Sequence, residues 1–240
     1  MQEIELKEIK RDYRSNEAYK SLRTNIEFSG EDNKVLVFTS CTPNEGKSTV
    51  TLALAQSLAE AGKKVLFIDA DLRKSVLAGR HNVNGQLKGL SHFLSGQTEL
   101  GEVMYRVKDT NLVMIFAGVV PPNPAELLGG KRFESLLASA RKAYDYVIVD
   151  APPLGSVIDA AIIAKMSDAS VLVVAANTVS HKFAKVVKEQ LEKSGCPILG
   201  VVLNKVDMGQ NKYYGKYYGK YYGSYGDYGH EKEGKAEEEA

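Results

Sequence analysis

Six short, mostly continuous apolar runs mark the chain between residues 34 and 207: VLVFTS (35–40), VLFIDA (65–70), LVMIFA (112–117), YVIVDA (146–151), SVLVVA (170–175) and ILGVVLN (198–204). A strand with one wet face alternates apolar and polar residues. A run that stays apolar needs both faces covered, as in a parallel sheet lying between helices. Helical stretches separate most of the runs: Ser48–Ala61 after the first, Lys131–Ala143 before the fourth and Ser180–Ser194 before the sixth. Asn123-Pro124-Ala125-Glu126 offers a cap residue, proline at the first helical position and glutamate at the third, a helix start. This alternation predicts an α/β fold, an open, doubly wound, mostly parallel sheet with helices on both faces. Ligands in such folds bind beyond the carboxyl ends of the strands.

Those strand ends carry chemistry. The first run leads into SCTPNEGKSTV (40–50). Gly46, Lys47, Ser48 and Thr49 match the end of the P-loop pattern, with Cys41 in the place of its first glycine. Gly46 permits a tight turn, and the loop Pro43-Asn44-Glu45-Gly46 can aim backbone N–H groups at a phosphate. Lys47 adds a point charge for the β- and γ-phosphates, and the Ser48 hydroxyl can ligate Mg²⁺. The second run ends in Asp69 and Asp71, two carboxylates flanked by apolar residues. They are costly there unless they meet cations or donors, such as a metal and a nucleophile's proton. The plainer reading is a helix cap plus a salt bridge to Arg73. The fourth run ends in Asp150 as a Walker B segment, whose carboxylate holds Mg²⁺ directly or through water. These features predict a P-loop NTPase-like nucleotide site.

Composition narrows the setting. The chain has 240 residues, a formal charge of +1 and two cysteines, Cys41 and Cys196. Near-neutral charge gives no pull toward nucleic acid, and two cysteines fit a reducing compartment better than a disulfide framework. No apolar run approaches the ~18 residues of a membrane span. The charged start MQEIELKEIKRDYR does not read as a signal peptide. A cytoplasmic location is expected. The expected divisions are 1–33, a polar segment with one helix near residues 15–28; 34–207, the nucleotide-binding domain; and 208–240, a tail of KYYGKYYGKYYGSYGDYG followed by EKEGKAEEEA. Eight of the thirteen tyrosines lie in that tail. Its repeat is expected to be disordered.

Five stretches together resemble the cytoplasmic bacterial tyrosine kinases of capsule and exopolysaccharide assembly. They are EAYKSLRTNI (17–26), TSCTPNEGKST (39–49), LFIDADLRK (66–74), GVVPPNPAELL (118–128) and YVIVDAPP (146–153), in that order. The resemblance covers nearly everything from Asn16 to Lys205, and the tyrosine cluster adds to it. It implies a protein-tyrosine kinase using ATP and Mg²⁺, with Lys47 as the phosphate-binding lysine and Asp69 taking the proton of the attacking tyrosine. Asp71 and Asp150 would organise Mg²⁺ with Ser48. Tyr213, Tyr214, Tyr217, Tyr218, Tyr221, Tyr222, Tyr225 and Tyr228 become the phospho-acceptors. Glu17, Lys20 and Arg23 fall on the family's E-x-x-R-x-x-R helix, which packs subunits into a homo-oligomeric ring, an octamer being one size. Lys20 replaces the middle arginine and cannot form arginine's planar bidentate pair. On the residues alone, these three read as a solvated charged helix face. The resemblance further implies autophosphorylation of the tail in trans, control of polysaccharide polymerisation and export, and a counteracting tyrosine phosphatase. An activating membrane protein of the chain-length-determinant type would recruit the kinase to the inner face of the cell membrane. Nucleic acid is not an expected partner.

Two other readings stay open. The partition and division-site ATPase switches share the fold but carry a signature lysine where Thr42 stands. Asn204-Lys205-Val206-Asp207 matches the N-K-x-D guanine-reading motif, although an asparagine after the last strand in this architecture also serves beside adenine. Asn204 is thus expected at the nucleotide in either case.

Overall fold

The computed structural model describes residues 1–7, 12–81 and 87–207. It divides into one unit from Met1 to Asn204 and another from Lys205 to Ala240. The first unit contains, in chain order, β1 (Gln2–Ile4), α1 (Tyr13–Glu27), β2 (Val35–Ser40), α2 (Lys47–Glu60), β3 (Val65–Asp69), α3 (Leu77–Arg80), α4 (Leu90–Leu94), β4 (Tyr105–Val107), β5 (Leu112–Ile115), α5 (Pro124–Leu128), α6 (Lys131–Ala143), β6 (Tyr146–Asp150), α7 (Asp159–Ala164), β7 (Ala169–Ala175), α8 (His181–Glu192) and β8 (Ile198–Asn204). Among the described residues no helix is long and apolar enough to cross a membrane.

The strands form one sheet in the order β1-β4-β5-β3-β6-β2-β7-β8. The six strands from β5 to β8 in that order run parallel. β4 runs antiparallel to β5, and β1 pairs parallel with β4.

Burial explains the continuous apolar runs. Val35, Val37, Leu66, Ile68, Val147 and Val149 join Phe133 and Leu137 of α6, Ile163 of α7 and Val187 and Leu191 of α8 in one core. The intervening Leu36, Phe38, Val65, Phe67 and Ile148 join Val50, Leu54 and Leu58 of α2 and Ile26 of α1 in another. Successive side chains of a strand point to opposite faces, so β2, β3, β5, β6 and β7 each feed both cores; β8 was expected to be covered in the same way, but it is the edge strand and leaves Val201 and Leu203 exposed. Fully burying one core side chain contributes roughly 1.5–3 kcal/mol. An Ile148→Asp change would place a bare charge in the α2-side core and break the sheet's centre.

Helix ends follow local chemistry. Asp12 caps α1 by accepting from Ser15 N at 3.0 Å, and Ser180 caps α8 by accepting from Phe183 N at 3.2 Å. α5 begins at Pro124 as expected, but the Asn123 side chain makes no capping bond. The fixed φ of proline and Glu126 in the first turn therefore carry that start. Two strands, β1 and β4, were not expected from sequence. Each has only three residues and lies toward one side of the sheet.

Candidate active site

The loop between β2 and α2 is shaped by two residues in the left-handed region, Asn44 (φ 66) and Gly46 (φ 85). Gly46 is the N-cap of α2 and supplies no capping side chain. The first amides of α2 are thus left for an anion, with the helix dipole behind them. Glu45 shapes the loop from beneath and is 1% exposed. Its carboxylate accepts from Thr42 N at 2.7 Å and from Ala175 N, at the end of β7, at 3.2 Å. Asn204 Nδ2 donates to the Glu45 carbonyl at 2.9 Å, tying the end of β8 to the same loop. Pro43, Asn44 and Thr49 are exposed. Cys41 is buried, and burial, with Glu45 adding, pushes its thiol up to about 11. It is a packing residue there; a reactive thiolate needs exposure and a lowered pKa.

Three chain segments bring charge together behind this loop. Register pairs Asp69 of β3 with Asp150 of β6, and Phe38 of β2 with Asp150 on its other side. Lys47 Nζ lies 2.6 Å from Asp150 Oδ1, with both side chains buried, and donates to Ser48 Oγ at 3.3 Å. Asp150 Oδ2 is buried without a hydrogen-bond partner. An orphaned carboxylate oxygen beside a lysine and a hydroxyl suits a site that takes a cation. Asp69 is 1% exposed, and burial followed by the neighbouring Asp150 charge pushes its carboxyl up to about 7. That value places its proton exchange near neutrality, where a general base is effective.

Asp71 lies two residues beyond, with Oδ1 accepting from Arg73 N at 3.2 Å and Lys74 N at 2.9 Å. The Arg73 side chain does not pair with Asp71. It forks onto Asp159, with Nε to Oδ2 at 2.7 Å and Nη2 to Oδ1 at 2.9 Å. Among the described residues no group of three or more His, Cys, Asp or Glu side chains could hold a metal. Mg²⁺ does not need one, because one or two carboxylates, a hydroxyl, water and substrate phosphates suffice. Lys47, Ser48, Asp69 and Asp150 therefore meet, while Asp71 stands at the margin.

The three helix residues separate in role. Lys20 and Glu17 form an exposed pair at 2.7 Å on α1. Arg23 turns inward and donates from Nη1 to Ser57 O at 2.9 Å and to Ser57 Oγ at 3.3 Å, fastening α1 to α2. The eight tail tyrosines lie outside the described residues. Three contributors were not singled out from sequence. Asp159 anchors Arg73, and Ser75 Oγ donates to Asp69 Oδ2. Gly155 packs so closely that a Cβ would sit 2.1 Å from Cys41 O. None belongs to a nucleotide motif; only the position of Gly155, two residues after the paired prolines, hinted at a tight backbone approach.

The chain is similar to known proteins over most of its length. An AAA domain family matches residues 34–193. The tyrosine-protein kinase CpsD of Streptococcus agalactiae is 42% identical over 216 residues, 90% of this chain and 89% of its own length. CpsD of Streptococcus pneumoniae is 42% identical over 229 residues, 95% of this chain and 97% of its own. The kinase domain of the Escherichia coli tyrosine kinase ETK is 35% identical with a TM-score of 0.74, over 82% of this chain and 79% of that one. The septum site-determining protein MinD of Pyrococcus horikoshii, complexed with Mg-ADP, is 25% identical with a TM-score of 0.63, over 75% of this chain and 72% of that one. Identity at this level across nearly the whole length, on the same P-loop sheet, makes this chain a member of the bacterial tyrosine-protein kinase family.

Proposed function

We propose that this protein is an ATP-dependent tyrosine kinase that phosphorylates its own C-terminal tyrosine cluster in trans and thereby regulates capsule or exopolysaccharide polymerisation and export. The observation that carries this reading is the buried junction of Lys47, Asp150 and Asp69, with one Asp150 oxygen unpartnered. Its residues have separable tasks. The amides of residues 44–49, following Pro43, cradle the phosphates, and Lys47 holds their oxygens by charge. Ser48, Asp150 and Asp71 are the groups that would hold Mg²⁺. Held there, the ion would supply positive charge against the charge that develops on the phosphates in transfer. Asp69 accepts the proton of the attacking phenol. Asn204 supports the loop under the nucleotide.

The tail supplies the acceptor. Tethering keeps eight phenols at high effective concentration. Lys212, Lys216 and Lys220 favour approach to an acidic, nucleotide-loaded site. Residues 1–33 would serve assembly through Glu17, Lys20 and Arg23 into a ring, residues 34–207 catalysis and residues 208–240 acceptance. A membrane-protein activator would bring the kinase to the inner face of the membrane, and a tyrosine phosphatase would reset it.

A mixing experiment tests transfer in trans. Chain truncated after Asp207 is incubated with full-length Lys47→Met chain, Mg-ATP and the activator's cytoplasmic tail. Phosphotyrosine on the Lys47→Met chain is expected. Labelling only when an intact Lys47 and a tail share one chain would refute transfer between copies.

A further inference from the structure

The two oxygens of Asp69 are held unequally. Oδ2 accepts from Ser75 Oγ, while Oδ1 meets Asp71 N at 3.3 Å. Ser75 Oγ itself accepts from Leu77 N at 3.3 Å. That bond occupies a lone pair and leaves the hydroxyl hydrogen for Asp69. The turn bearing Ser75 is firmly set. The Arg73 guanidinium forks onto Asp159, which is 0% exposed, and the amides of Arg73 and Lys74 bind Asp71. Ser75 is an exposed residue whose hydroxyl could turn to water, yet it is directed at a buried carboxylate.

We propose that Ser75 is a positioning residue for tyrosyl transfer: it pins Asp69 Oδ2 so that Oδ1 is the oxygen that takes the acceptor's proton. This rests on the reading of Asp69 as the proton acceptor. In the step, the acceptor oxygen forms its bond to the γ-phosphorus as its proton passes to Asp69 Oδ1. The bond from phosphorus to the β,γ-bridging oxygen breaks, and ADP leaves with that electron pair. A carboxylate free to rotate about its terminal torsion presents either oxygen in many orientations. One fixed by a neighbouring hydroxyl is preorganised. Removing the hydroxyl should therefore slow transfer and leave nucleotide binding intact.

The test uses the full-length chain with the activator's cytoplasmic tail and four variants: Ser75→Ala, Ser75→Thr, Asp69→Asn, and Ser75→Ala with Asp69→Asn. Tyrosine-phosphorylation kcat and KM for ATP are measured together with affinity for a fluorescent ATP analogue. Ser75→Ala should lower kcat on the order of tenfold, the loss expected for one hydrogen bond to a charged group. Its KM and analogue affinity should stay at wild-type levels. Ser75→Thr should recover most of the rate, and Ser75→Ala should add nothing once Asp69 is Asn. Four results would each overturn the proposal: wild-type kcat in Ser75→Ala, a parallel loss of analogue binding, a threonine variant as slow as alanine, or an additive defect in the double variant. If Asp69→Asn transfers at the wild-type rate, or the wild type labels no tyrosine, the parent reading fails and takes this one with it.

Discussion

At the scale of single residues, Asp69 gives the sharpest pH dependence. Its folded pKa rises from 3.8 to about 7, first because it is buried and then because Asp150 is beside it. A carboxyl raised in this way keeps a proton that the unfolded chain releases. Its stabilising contribution is complete below the unfolded value of 3.8 and is lost as pH climbs through about 7. In the nucleotide-free protein, the urea midpoint should fall between pH 5 and pH 8, with a slope contribution of up to ~1.4 kcal/mol per pH unit. Asp69→Asn should flatten that slope; an unchanged slope would assign the effect elsewhere. Gly155 makes a second residue-scale prediction. A Cβ there would meet the Cys41 carbonyl at 2.1 Å and Phe183 Cζ at 2.8 Å. Backbone cannot yield as a side chain does, so Gly155→Ala should displace the phosphate loop. The expected cost is ~1–3 kcal/mol of stability, with weakened binding of a fluorescent ATP analogue. Wild-type affinity in that variant would mean the turn, and not the loop, gives way. Lys47, Asp69 and Asp150 were legible because strand-loop-helix and strand-end motifs announce them. Ser75 and Asp159 were not, because their roles depend on which loops the fold brings together.

Elements were legible where the apolar run was long enough to show, including β8, whose Val201 and Leu203 are nonetheless exposed. β2, β3, β6 and β7 read clearly because each feeds two cores and stays apolar throughout. β1 and β4 did not, because three residues are too few to show a period; β4 even alternates, with Arg106 exposed between buried Tyr105 and Val107. The phosphate loop is held by the Glu45 carboxylate together with Asn204 of β8 and Ser40 of β2. Glu45→Ala would strip the acceptor from two backbone N–H groups, those of Thr42 and Ala175. A loss of about 2–4 kcal/mol is expected, read by chemical denaturation, together with a lower nucleotide affinity. Equal stability would show that water replaces the carboxylate. On α1, docking within the chain and the proposed assembly can be tested apart. Arg23→Ala removes the bond to Ser57 O near the end of α2 and should cost about 1–2 kcal/mol even at protein concentrations too low for association. Glu17→Ala and Lys20→Ala should lower the mass in solution with little change in that stability. If Arg23→Ala instead alters mass alone, its contact with α2 is incidental.

For the whole molecule, phosphorylation is expected to act through charge. Each phosphate adds about −1.5 to −2, so several would turn the lysine-bearing repeat acidic and repel it from ATP and the strand-end carboxylates. Phosphorylated protein should therefore show a smaller mass by light scattering than dephosphorylated protein, and equal masses would separate modification from assembly. The mostly parallel, doubly wound character of the sheet was legible in the apolar runs, whereas its strand order was not. The assignment to the kinase family rests on the length and level of its likeness to the CpsD proteins and the ETK kinase domain. The most direct measurement follows terminally labelled ATP in the activated full-length chain, with Lys47→Met alongside. Label should accumulate on tyrosines between Tyr213 and Tyr228 in the wild type and be absent from the Lys47→Met chain incubated by itself. Release of all label as inorganic phosphate, with those tyrosines unmodified, would contradict the account and leave a nucleotide-hydrolysing switch in its place.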